Sequence, residues 1–331
     1  MKKLIVSLSI ITCLYSLNSC KKEAEKPQWE QEVKNPIQKI DLVDISEKLY
    51  NPNVSMEDFK KDFPWFQGTV PDDVFVERRK DPEEIKIYKE AISKIDKVKL
   101  NKDLAALFSH IKTYFPSFKA PKVFLYSTAV YYESILAPIF YKPEENYLFI
   151  DVSAFMGVDN KAYSGIDKYI QKSMNPSNIV PKVSMSFAEQ MVPRKPTESK
   201  FIDELVYNGK IQILQDIFLP ETPDFLKINY TKEQEEWNIA NEFNIWNYFV
   251  ENDYLFKSDP ELAGRFIQPG PFSKFYTEID NESSPQVGVW TGWQICREYL
   301  AKNPNVKIPE FLNKNATDIF NGSGYKPKEI K

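Results

Sequence analysis

From Ile37 to about residue 320 the chain runs without a Gly/Ser-rich break, an internal repeat or a low-complexity block, and Gly322-Ser323-Gly324 is the first such stretch. Boundaries between domains fall in exposed, small and polar linkers. Their absence predicts a single domain over residues 37–322, followed by a short tail, 323–331. With 42% hydrophobic and 14% aromatic residues, a chain of this length can fill a sizeable core.

The segment ahead of that domain is of another kind. Lys2 and Lys3 precede an uncharged, largely apolar run from Leu4 to Leu17, then Asn18-Ser19-Cys20. A basic start, a short apolar core and a small residue before a cut describe a secretion signal. Crossing the hydrocarbon as a helix takes about 20 apolar residues, more than this run has. Leu17-Asn18-Ser19-Cys20 resembles the lipobox of bacterial lipoproteins, which implies removal of residues 1–19 and acylation of Cys20 with palmitate-type chains. Each buried methylene contributes about 0.8 kcal/mol, so such a lipid is a lasting anchor. Residues 20–36, the lipidated cysteine and the charged run Lys21-Lys22-Glu23-Ala24-Glu25-Lys26-Pro27, then read as a solvated tether. Lys21 stands where some lipoproteins carry the aspartate that retains them on the inner membrane. The expectation is therefore a protein of the cell envelope facing the periplasm, on the outer membrane in preference to the inner.

Loss of the signal removes Cys13 and commits Cys20, leaving Cys296 as the one thiol and no intramolecular disulfide. Cys296, inside a helix-like run, reads as a packed core residue. The formal net charge is −4 and becomes more acidic once Lys2 and Lys3 are gone. A mildly acidic chain without basic blocks argues against nucleic acid and anionic headgroups as partners.

Hydrophobic period sketches the elements. Ile85, Tyr88, Ile92 and Ile95 predict one helix, and Leu104, Leu107, Phe108, Ile111, Tyr114 and Phe115 another, with Asn101 as its cap. Residues 122–126 and 147–152 are β-rich runs and predict strands. Tyr131 to Phe140 suggests a further strand or two, and Ser164 to Met174 a helix. A long helix is expected from Pro196 or Thr197 to about Phe218. Thr231-Lys232-Glu233-Gln234 is a capping box opening the next one, through about Glu251. A last helix is expected over roughly Gly292 to Ala301. Helices, a small sheet, then helices make a helix-predominant α+β fold.

Chemistry concentrates on the long helix. Asp203, Tyr207 and Lys210 share one face, with Glu204 beside it, because residues three or four apart lie one above the other. Gly209 within the helix costs about 1 kcal/mol against Ala, so something packs close there or the helix bends. Gly288 and Gly292 would let another element approach. Of Trp237, Trp246, Trp290 and Trp293, three are expected in the core.

These residues resemble a family. Asp203 through Lys210, Trp237 with Asn241-Glu242 and Ile245-Trp246, Pro271 through Phe275, and Gly288 through Ile295 look like the gliding-motility lipoprotein GldB family of Bacteroidetes. The resemblance implies a place in gliding motility and the associated type IX secretion machinery, with other envelope proteins of that machinery as partners. The family is in turn distantly similar to HExxH zinc peptidases. That likeness would make the domain zincin-like and place Asp203-Glu204-Leu205-Val206-Tyr207 on the motif, Glu204 as base, Glu242 at the third ligand.

His110 is the chain's one histidine, on the earlier helix. Catalytic zinc is normally held by imidazoles or thiolates with a position left open. A carboxylate and a phenol replace both motif histidines, and Lys210 would repel a dication. The expectation is no metal, no cofactor and a non-catalytic binding or scaffolding subunit, a pseudoenzyme. Asp203, Glu204, Tyr207, Lys210 and Glu242 would be its vestigial cleft, with Lys210 supplying the missing positive charge. A solvated helix face is the plainer account of Asp203, Glu204 and Lys210. A residual hydrolase using Glu204 is the alternative, whereas Asp203 and Glu204 diverge too far on a helix to act as a glycosidase pair. A solute-binding protein would show two similar α/β lobes, and none is evident.

Overall fold

The computed structural model describes residues 32–329 except 67, 69 and 198. The signal segment 1–19, Cys20 and most of the linker 20–36 lie outside the described residues. Within them the fold is helix-predominant with one small open sheet. No helix of the described residues is long and apolar enough to cross a membrane.

Four strands, β1 (Leu42–Asp44), β2 (Lys122–Tyr126), β3 (Ile139–Lys142) and β4 (Tyr147–Asp151), lie in the order β1-β2-β4-β3. β1, β2 and β4 are parallel, and β3 closes one edge antiparallel to β4. The register sets Val123 beside Leu148 and Leu125 beside Ile150 on one face, and Phe124 beside Phe149 on the other. Parallel neighbours need a long crossover. Here it is α1 (Ile45–Leu49), α2 (Met56–Asp62), α3 (Asp72–Arg78), α4 (Pro82–Ser93) and α5 (Lys97–Tyr114). Phe59, Phe63, Trp65 and Phe75 from its first half cover the Phe124 face, while Leu104, Phe108 and Ile111 of α5 join the main core.

α5 is capped by Asp96, whose Oδ1 accepts from Val98 and Lys99 N–H, and not by Asn101. Asn101 lies inside the helix and exchanges two hydrogen bonds with the backbone of Ile40, fastening the approach to β1. Residues 131–140 divide into α6 (Tyr132–Leu136) and β3. Between Ser164 and Met174 only α7 (Lys168–Gln171) is α-helical. The Gln171 amide reaches back to the carbonyls of Tyr163 and Ile166 and wraps the rest into turns.

The remaining helices are α8 (Ile179–Met191), α9 (Phe201–Phe218), α10 (Asp224–Lys227), α11 (Lys232–Glu251), α12 (Pro260–Phe266), α13 (Val287–Lys302), α14 (Ile308–Asn313) and α15 (Ala316–Ser323). α9 buries residues around its whole girth, the mark of a central helix. It starts at Phe201, later than its proline suggests. The N–H groups of Phe201 and Ile202 find the carbonyls of Lys257 and Leu255, both at 2.8 Å, so the first turn is satisfied there. α13 lies directly against α9. A methyl on Gly292 would collide with the Leu205 carbonyl and one on Gly209 with the Gly292 carbonyl, so both glycines exist for the close approach. Trp246, Trp290, Trp293 and Cys296 are buried at this junction and around it.

The core extends past residue 322. Gly324 turns the chain with φ of 53°, and Tyr325 then packs edge-on to Trp246 at 5.1 Å.

Candidate functional site

The five residues singled out on α9 and α11 do not converge on one cleft. Asp203 Oδ2 accepts from Lys200 N–H at 2.9 Å, so this carboxylate closes the first turn of its own helix. Glu204 pairs with Arg194 at 2.9 Å, and the Arg194 guanidinium lies 3.9 Å from the centre of the Tyr207 ring. Asp203, Glu204, Tyr207, Arg194 and Lys195 surround a recess of only about 20 Å³. Lys210 points elsewhere: it is buried and donates to the carbonyls of Leu312 at 3.0 Å and Lys314 at 2.7 Å, tying α9 to the end of α14. Glu242 belongs to a separate cleft.

These residues do not fit zinc. A guanidinium occupies the position over Tyr207 and Glu204 where a dication would need open ligands. Among the described residues no group of three or more His, Cys, Asp and Glu could hold a metal ion. The likeness to zinc peptidases gains no support from this geometry. His110 lies instead on a mostly apolar groove of about 660 Å³ between α5, the start of α8 and residues 218–226.

The cleft that holds Glu242 has a volume of about 530 Å³ and opens between the end of α9, α10, the middle of α11 and the second half of α13. Asp216 from α9 is its pivot. Its Oδ1 accepts from Lys227 Nζ at 2.8 Å and Arg297 Nη2 at 2.7 Å, and its Oδ2 from Trp293 Nε1 at 2.9 Å and Arg297 Nε at 2.8 Å. Asp224 completes the ring, bonding Arg297 Nη1 at 2.7 Å and Lys227 Nζ at 3.1 Å, while Arg297 stacks 3.9 Å over the Trp293 ring. Burial pushes the Asp224 carboxyl up, but Arg297 and Lys227 outweigh it and hold the group below the usual carboxylate range. Bidentate, charge-assisted contacts of this kind set geometry as well as energy.

Glu242 and Glu298 stand outside the ring. Glu242 Oε1 accepts from Tyr325 Oη at 2.6 Å, and burial raises its carboxyl above the ordinary value. Glu298 pairs with Lys302 at 3.0 Å near the surface. The lining thus has four carboxylates, Asp216, Asp224, Glu242 and Glu298, against two cations, Lys227 and Arg297. It can attract a basic group. The sequence offered only a faint sign of the ring, an Asp and a Lys three apart at 224 and 227, because Arg297 lies 73 residues further on.

Cys296 takes no part in chemistry. Its thiol is fully buried against the Val206 carbonyl and burial pushes it far up, away from the reactive thiolate.

A comparison with curated proteins returned no match, and neither did one with solved structures. The family model described as gliding motility protein GldB matches residues 26–327, most of the chain. The lipoprotein character of that family places the chain in the cell envelope. The chain therefore belongs to the GldB gliding motility protein family.

Proposed function

We propose that the protein is a lipid-anchored scaffolding subunit of the gliding-motility and type IX secretion machinery, held through Cys20 on the periplasmic face of the outer membrane. In this reading the Glu242 cleft binds a basic segment of another envelope protein. The observation that carries the binding role is the charge arrangement of the cleft. Its cations are spent on Asp216 and Asp224, and Glu298 is met by Lys302, which leaves Glu242 as the carboxylate of the lining with no cation against it among the described residues. Opposite potentials steer such partners together and fix their register.

Hydrolysis with Glu204 as base is the weaker reading, because Arg194 holds that carboxylate and the adjoining recess has no room for a substrate. Asp203, Tyr207 and Lys210 then serve the fold, and only Glu242 among the five serves binding.

The test is a double charge reversal, Glu242→Lys with Glu298→Lys, in cells producing the protein at normal level. Loss of gliding and secretion, together with loss of a crosslink formed from position 301, would support the docking role. Normal motility and secretion in the reversed variant would sink it.

A further inference from the structure

Tyr325 closes one edge of the Glu242 cleft. Its Oη donates to Glu242 Oε1 at 2.6 Å, and its ring stands edge-on to Trp246 with the ring centres 5.1 Å apart. Glu242 and Trp246 are four residues apart on α11, so they lie one above the other on one face of that helix. A single side chain from the C-terminal tail thus spans a carboxylate and the tryptophan beside it, and Trp246 is buried under this cover.

A local turn brings the tail there. α15 ends in Ser323, whose carbonyl accepts from Lys302 Nζ, and the same ammonium pairs with Glu298 at 3.0 Å. Gly324 then takes its left-handed φ of 53°, and the Tyr325 N–H turns back to Ser323 Oγ at 3.1 Å. Lys326, Lys328 and Glu329 beyond it are exposed. Both outer acids of the cleft are therefore engaged from the end of α15, Glu242 through Tyr325 and Glu298 through the lysine that clamps Ser323.

The same cleft already shows what else a carboxylate beside an indole accepts. Arg297 grips Asp216 with two N–H groups while its guanidinium lies 3.9 Å over the Trp293 ring. Arginine suits such a pair because its planar fork stacks on an aromatic face and meets a carboxylate with parallel bonds, whereas lysine offers a point charge. Glu242 with Trp246 repeats the combination, with a phenol standing where the guanidinium would be.

We propose that Tyr325 is a latch, hinged at Gly324, and that an arginine of the partner's basic segment displaces it, pairing with Glu242 and lying against Trp246. This rests on the reading of the Glu242 cleft as a docking site for a basic segment. It adds the residue type recognised and the contact that must open first.

Calorimetric titration of the full mature protein in detergent tests it, with blocked tripeptides carrying arginine or lysine between two glycines. Tyr325→Phe keeps the ring and its packing but loses the hydroxyl. It should bind the arginine peptide about tenfold tighter than the wild type, since a hydrogen bond to a charged group is worth that much. Arginine should bind tighter than lysine, and Glu242→Gln should abolish binding of both. In the wild type the arginine peptide should also speed hydrogen exchange at the Tyr325 amide. Equal affinity in wild type and Tyr325→Phe, with unchanged exchange at Tyr325, would overturn the latch and leave the cleft's binding of cations standing. Equal binding of the two peptides would overturn the arginine assignment. Binding that survives Glu242→Gln, or no binding by any of the three proteins, would overturn the latch and the reading of the cleft together.

Discussion

Glu242 carries a carboxylate into a half-buried position with one phenol on one oxygen. Burial raises its folded pKa above the ordinary 4.5, so the native state holds the proton more tightly than the unfolded chain does. Stability from this group is then fully present below that ordinary value and is lost as pH rises through the folded one. Glu242→Gln keeps an acceptor for Tyr325 and removes the charge. The variant should match the wild type in urea unfolding at about pH 4 and exceed it at about pH 7. Identical pH slopes for the two proteins would show that the carboxylate is not strained by burial. Asp224 acts with the opposite sign, its stabilisation being lost only as pH falls below 3.8 through a still lower folded value, so it does not mask the comparison. The residue scale is also where sequence reading reached least far. Asp203, Tyr207 and Lys210 do share a helix face, yet neighbours 10 to about 100 residues away choose their roles: Arg194 covers Glu204 and Tyr207, and the end of α14 takes Lys210.

At the scale of elements, the pairing of α9 with α13 organises the C-terminal half. The glycines at 209, 288 and 292 read correctly as points of close approach, Gly209 because a mid-helix glycine is costly unless something requires it, while α13 starts at Val287, ahead of the Gly292 expected from the sequence. A methyl on Gly288 would meet Ile267 Cδ1 at 2.7 Å, and one on Gly292 would strike the backbone of Leu205. Backbone cannot rotate aside as a side chain can. Gly292→Ala should therefore cost about 3 kcal/mol or more, toward the upper end for overpacked cores, and lower Tm in a thermal melt. An unchanged Tm would mean that the two helices are free to separate. Element boundaries were legible where a cap is local, as at Thr231 with Gln234, whose reciprocal bonds are made within four residues. They were not legible where the satisfying groups come from afar. The start of α9 waits for carbonyls of residues 255 and 257, and Asn101, a good cap by type, is drawn into the strap to Ile40.

At the scale of the whole molecule, the main core draws on residues from Ile40 to Tyr325, uniting one face of the sheet with the α8, α9 and α13 layers. A core shared that widely gives no half its own stability. Urea unfolding followed by far-ultraviolet dichroism and by tryptophan fluorescence should trace one coincident transition. Two separated transitions would divide the expected single domain. The helix-predominant character, the buried Cys296 and the family were all legible in the chain, because period, punctuation and long matching segments are properties of neighbours in sequence. The zinc-peptidase likeness rested on the same local pattern and gains no support from the structure, since a metal site is a matter of which side chains meet in space. Nothing in the order of residues brings Asp216, Asp224, Lys227 and Arg297 together, or sets the Arg265 guanidinium between Tyr248 and Tyr254. Those arrangements exist only once α9, α11, α12 and α13 are packed, because charge pairing and burial are settled by distance through space and not along the chain.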